Sequence, residues 1–121
     1  MHLLNIPTAF EDARGTIRDL VTSDIHSITE ITFTPGSIRG NHVHQHTTQW
    51  TYLIFGELIM ATVDSGRLLE KELNPGDLVV SLPNEPHAFR AITQAKILVF
   101  TRGPRSGSNY ELDTQRVAII N

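Results

Sequence analysis

With 121 residues, 40% of them hydrophobic and 19% charged, the chain has the size and composition of one ordinary globular domain, able to bury a core without disulfides or a structural metal. It contains no cysteine, which excludes a disulfide scaffold, a thiolate metal site and a cysteine nucleophile. Ten basic and thirteen acidic residues leave a formal net charge of −3 with no basic stripe, Arg102 to Arg105 coming nearest to one, so neither nucleic acid nor an anionic membrane is expected as a partner.

In chain order, Met1 to Pro7 offers no basic segment followed by an apolar run and does not read as a signal peptide. No stretch of about eighteen apolar residues occurs, so no membrane span is predicted and a cytoplasmic address is the expectation. From Ser27 to Thr34, residues Ile28, Glu30, Thr32 and Thr34 alternate with Thr29, Ile31 and Phe33, the period-two pattern of a strand. Pro35-Gly36 closes it as a turn. Val43 to Phe55 is predicted to hold two strands, with Trp50, Tyr52 and Ile54 on one face and Thr51, Leu53 and Phe55 on the other. Glu57 to Val63 and Arg67 to Leu73 read as a hairpin about Asp64-Ser65-Gly66. Asn74-Pro75-Gly76-Asp77 turns the chain again, and Leu78 to Leu82, Ala88 to Thr93 and Ala95 to Thr101 complete the strands. Arg102 to Ser108 reads as a polar loop, and the tail from Tyr110 carries the apolar run Val117-Ala118-Ile119-Ile120. Many short strands divided by Gly, Pro, Asn and Asp, with no convincing amphipathic helix, predict an all-β sandwich or barrel. One domain is expected over 1–121, its barrel at about 25–101 and its tail at 102–121.

Four of the six histidines fall in two places, His42-Val43-His44-Gln45-His46 and Pro86-His87-Ala88-Phe89. Residues two apart on a strand share a face, so His42 and His44 project side by side. Two imidazoles held that way make half of a metal site or a pair of acid/base groups, and His87 lies on a later strand able to cross opposite them. Imidazole with an oxygen donor suits Zn, Fe, Ni, Mn or Cu, among which ligand type does not choose.

The spacing resembles that of the cupins. Their first motif runs glycine, five residues, His-x-His, three or four residues, Glu, six residues, glycine; here it reads Gly36, His42-Val43-His44, Gln49 and Gly56. Their second runs glycine, five residues, Pro-x-Gly-x-x-His; Gly76 is followed at that spacing by Leu82, Asn84 and His87, so the histidine is kept while the proline and glycine are not. Pro83 and Pro86 still stiffen this turn. The resemblance implies a double-stranded β-helix, a jelly-roll-like antiparallel barrel. It also implies that His42, His44 and His87 hold one divalent metal ion inside it, with Gln49 where the family's glutamate sits. A glutamine offers one neutral carbonyl oxygen, so the ion would be bound more weakly and keep its full charge. His46 shares the parity of His42 and His44, as a substitute fourth ligand or, the preferred reading, pointing to solvent beyond the strand.

A narrower resemblance concerns the sugar-nucleotide ketoisomerases and epimerase-like barrels of polysaccharide synthesis. It is carried by Arg39-Gly40-Asn41-His42-Val43-His44 with Gln49, by Asp12-Ala13-Arg14-Gly15, and by Tyr110-Glu111-Leu112-Asp113-Thr114-Gln115-Arg116. It implies metal-free proton transfer on a keto sugar by His42 and His44, whose ordinary pKa near 6.5 suits that work. Gln45 stands where that group has a lysine, and His87 belongs to the metal-type pattern. A nucleotide diphosphate would also want more cations at the mouth than Arg39 and Arg90, Arg39 being read as a surface charge.

Three functions are carried forward. The first is a metal-binding cupin acting on a small oxygenated, carbohydrate-type ligand as an isomerase, lyase or dioxygenase. The second is a metal-free sugar-nucleotide isomerase using His42 and His44. The third is a non-catalytic binding barrel. Thr51, Leu53, Phe55 and Phe89 are expected to line the barrel, and the outward strip Trp50, Tyr52 and Ile54 is expected to be covered in a homodimer.

Overall fold

The computed structural model describes residues 1–104 and 107–120, without the side chains of 107 and 110. Arg105 of the basic cluster and the Tyr110 side chain of the late motif thus lie outside the described residues. The elements are β1 (His2–Leu4), β2 (Phe10–Asp12), β3 (Gly15–Ile17), β4 (Ser27–Phe33), β5 (Ile38–His44), β6 (Thr48–Phe55), β7 (Leu58–Asp64), β8 (Arg67–Leu73), β9 (Leu78–Ser81), β10 (His87–Ala91), β11 (Ala95–Arg102), α1 (Gly107–Asp113) and β12 (Thr114–Arg116). Two five-stranded sheets carry the fold, ordered β1-β9-β6-β11-β4 and β12-β5-β10-β7-β8, and β2 with β3 forms a separate hairpin. All these pairings are antiparallel, and the whole is the double-stranded β-helix.

The turns follow backbone chemistry. The β7–β8 hairpin closes on Ser65 (φ 51°) and Gly66 (φ 77°), two successive left-handed residues of the kind that match strand twist in a tight hairpin. Between the sheets, Phe33, Leu53, Leu58, Met60, Leu73, Val79, Phe89, Ile97 and Val99 form the main core. A smaller cluster lies on the outer face of the second sheet, where Ala61 and Ala88 meet Ile120, with Ile38 and Ile119 against them. The apolar run of the tail is therefore a strap across that sheet. No helix among the described residues is long and apolar enough to cross a membrane.

Thr51, Leu53 and Phe89 face inward as expected, but Phe55 is 42% exposed. The register between β6 and β11 shifts beside Lys96, so Phe55 stands opposite Lys96 with the ammonium 5.8 Å from its ring centre, and the alternation is broken there. On the outer face Trp50 and Tyr52 are only half-exposed. Arg18 lies 6.0 Å over the Tyr52 ring and donates to the Gly76 carbonyl, while the His26 amide donates to Thr101, so residues 18–26 run between these anchors beside the strip. Strands β1, β2, β3 and β12 and helix α1 were not anticipated, and the first of the two strands expected within Val43 to Phe55 is β5, which begins earlier, at Ile38. The unanticipated elements are short, and the strands among them are defined by the partner they pair with rather than by a pattern of their own.

Candidate functional site

The site is built on β5, which lies between β10 and β12. Arg39 pairs with Phe89 and Gly40 with Ala88, but the next pair is His42 with His87, so Asn41 is an extra residue with no register partner on β10. Strict alternation from the outward Ile38 would turn His42 outward as well. The bulge reverses this and turns His42 and His44 into the barrel, onto the face that carries His87. Gly40 (φ 87°) allows it, because a Cβ there would meet the His87 carbonyl oxygen at 3.0 Å and the Ala88 Cα at 3.1 Å.

The three predicted histidines therefore meet. One nitrogen from each of His42, His44 and His87 lies within 4.8 Å of the others, and the Nε2 atoms of His42 and His87 are 2.8 Å apart. A tetrahedral ion with bonds of about 2.0–2.1 Å needs ligand atoms roughly 3.4 Å apart, a spacing this cluster brackets. His44 and His87 are buried and His42 is half-buried. Gln49 is 8% exposed and shares a cavity of about 50 Å³ with His42, Arg39, Phe33 and Phe89. Its amide nitrogen reaches Thr51 Oγ1 at 3.4 Å, so its carbonyl oxygen is the group it can offer elsewhere.

Behind His44 stands a residue to which sequence analysis assigned no role. Asp113, at the end of α1, is 2% exposed. Its carboxylate accepts from the His46 amide at 2.5 Å and the Thr47 hydroxyl at 2.5 Å, and one oxygen lies 3.5 Å from Nδ1 of His44. Thr114 Oγ1 is 3.0 Å from the same nitrogen. A proton on Nδ1 faces both groups and leaves Nε2 as the basic nitrogen. The late Asp113-Thr114 pair was the only available signal, and it had no spacing to link it to His44.

The remaining expectations divide. His46 is exposed past the end of β5 and is not part of the histidine cluster; it lines a separate cavity of about 570 Å³ with His26, Asn109 and Asp113. Arg39 is exposed but stands at the site, donating from Nε to the Thr32 carbonyl and lying 5.6 Å from the Phe33 ring centre. Arg90 is on the other side of the wall, since it pairs with outward Ile38 and alternates with the core residue Phe89. It does not belong to the mouth. Arg116 pairs with His42 on β12, the position of a second cation beside the site.

His87 is held well below its ordinary pKa, first by burial and then by the neighbouring imidazoles of His42 and His44. It is neutral at neutral pH, the form that binds metals or accepts a proton. Below about pH 6.5 the unfolded chain takes up a proton at this residue that the folded chain refuses, so stability should fall with acidification by up to about 1.4 kcal/mol per pH unit. Urea melts between pH 7.5 and 5 should show this slope, and it should vanish in His87→Gln.

Comparison with curated proteins finds none that matches this chain. Among solved structures, the sugar 3,4-ketoisomerase QdtA of Thermoanaerobacterium thermosaccharolyticum, in complex with TDP, superposes with a TM-score of 0.78 at 20% identity, over 95% of this chain and 86% of that one. The dTDP-4-dehydrorhamnose 3,5-epimerase of Sulfolobus tokodaii gives 0.76 at 16% identity, over 97% and 81%. The capsular polysaccharide assembling protein CapF of Staphylococcus aureus gives 0.70 at 15% identity, over 94% of this chain and 33% of that one. These likenesses concern the fold. The family model described as cupin matches residues 17–114, most of the chain and every residue of the histidine cluster, and the chain belongs to the cupin family.

Proposed function

We propose that this cupin is an isomerase that moves a proton beside the carbonyl of a keto sugar, presented as a sugar nucleotide or a similar small oxygenated ligand. The observation that carries this reading is the setting of His44, whose Nδ1 faces Asp113 and Thr114, an arrangement that puts the Nδ1 proton on that side and makes Nε2 the basic nitrogen. His44 takes the proton from the carbon next to the carbonyl, and the carbonyl oxygen receives one from the His42 side, giving an enediol. The reverse transfers, with the roles exchanged between neighbouring carbons, relocate the carbonyl or return the proton to the opposite face. Asp113 steadies the imidazolium formed on His44. Arg39, with Arg116 opposite His42 on the neighbouring strand, would receive an anionic portion of the ligand. The likeness in fold to a sugar 3,4-ketoisomerase and a 3,5-epimerase supports the choice of substrate class, although fold alone does not dictate reaction.

The third imidazole favours a second reading. His42, His44 and His87, with the Gln49 carbonyl oxygen as a fourth donor, suit one divalent ion, and the carboxylate behind His44 is a common partner of a metal-binding histidine. Such an ion would supply Lewis acidity toward a carbonyl. We place the protein in the cytoplasm, as a homodimer that covers the exposed Ile28 beside Phe100 and Trp50.

Elemental analysis of protein purified without a chelating tag separates these readings. About one equivalent of metal per chain, lost in His87→Ala, supports the ion-dependent site; no metal under any loading leaves the acid/base isomerase. Hydrogen exchange between keto sugars and heavy water tests the isomerase directly. Absence of both metal and exchange would make the barrel a binding module.

A further inference from the structure

The tail strap and the histidine cluster meet at one residue. Asn41 is the bulge residue of β5, in the left-handed region at φ 55° and directly before His42. Its side-chain oxygen accepts from the amides of Ile119 (3.1 Å) and Ile120 (2.9 Å), and its Nδ2 donates to the Ile120 carbonyl at 2.9 Å. Its own carbonyl accepts from the Val117 amide at 2.9 Å. Four hydrogen bonds thus tie one bulge residue to a segment about 80 positions further along. Ile120, 7% exposed, packs with Ala61 and Ala88, so the strap is seated on the same stretch of wall that carries His42 and His87 on its inner side.

We infer that Asn41 is a positioning residue and that the strap Val117–Ile120 is its partner, the two together holding the bulge that aims His42 at His87. An asparagine fits both demands. It tolerates the left-handed backbone better than other residues with a side chain, and its amide offers an acceptor and a donor to the extended strap. Without the strap, the bulge would depend on Gly40 and Asn41 alone, two residues with wide conformational freedom. A slip of one residue would turn the imidazole out of the barrel.

The test reads geometry and does not depend on the proposed reaction. In the full chain, the contact between the His42 and His87 rings, whose centres are 4.5 Å apart, is followed by nuclear Overhauser cross-peaks at fixed pH. Asn41→Gly keeps the backbone freedom but removes the side-chain bonds, and it is expected to lose this cross-peak while the His26 resonances stay in place. Deleting residues 118–121 should give the same loss, and combining the two changes should add nothing further. Asn41→Asp retains the acceptor and should recover most of the contact. The inference is overturned if a folded Asn41→Gly protein keeps the cross-peak, if Asn41→Asp behaves like Asn41→Gly, or if the combined variant is worse than either alone. Should the deletion prevent folding, the two point variants decide.

Discussion

Replacing His44 by glutamine is expected to slow turnover of a keto sugar by about 10²–10⁴-fold while changing its binding only a few-fold. The glutamine amide can still face Asp113 and Thr114, so the wall behind the site keeps its partners. It has no basic nitrogen to receive a proton from carbon. The effect should therefore appear in kcat, with KM nearly unchanged. The partner change Asp113→Asn removes the negative charge 3.5 Å from His44 Nδ1 and should also depress kcat, by a smaller factor. Turnover in His44→Gln within about tenfold of the parent would remove this residue from the role of base. In that event the ion-dependent reading would need another group to move the proton.

The second large effect concerns stability. Gly56→Ala is expected to cost on the order of 3 kcal/mol, from left-handed strain together with overpacking. Gly56 sits at φ 97° between β6 and β7, and a Cβ there would fall 2.4 Å from the Gln94 carbonyl oxygen and 2.7 Å from the Ala95 Cα. Both obstacles are backbone, so no side chain can swing aside. Gly66→Ala is the control, since a Cβ at Gly66 meets nothing within 4 Å and only the backbone cost at φ 77° remains. Denaturant midpoints should rank the parent above Gly66→Ala and both well above Gly56→Ala. Equal losses in the two variants would mean that close approach at Gly56 is not what matters.

Gly56 also shows how motif spacing and packing are related. Sequence analysis recognised it only as the last glycine of the first cupin motif. In the structure it is the point where the β6–β7 turn passes against the start of β11, a contact between segments nearly 40 residues apart. His46 was read correctly as solvent-facing beyond β5, while Gln49, expected as a fourth metal ligand, lies in the cavity wall beside His42. Phe55 and Arg90 were misplaced for a shared reason. Alternation names two faces but does not say which is inner, and a bulge or a register shift exchanges them.

The residues by themselves determined the strands of the barrel wall from Ser27 to Thr101 in outline, most of the turns, the shared face of His42 and His44, and the family spacing that adds His87. All of these are written in neighbours two apart or in fixed local intervals, which steric alternation and turn chemistry translate directly. Tertiary structure alone decided that the face carrying His42 and His44 is the inner one, because that follows from the bulge at Asn41 against β10. It alone placed Asp113 behind His44, 69 positions away, and drew the tail across the outer wall onto Asn41. Contacts of that kind depend on strand pairing between distant segments, and no periodicity within either segment encodes them.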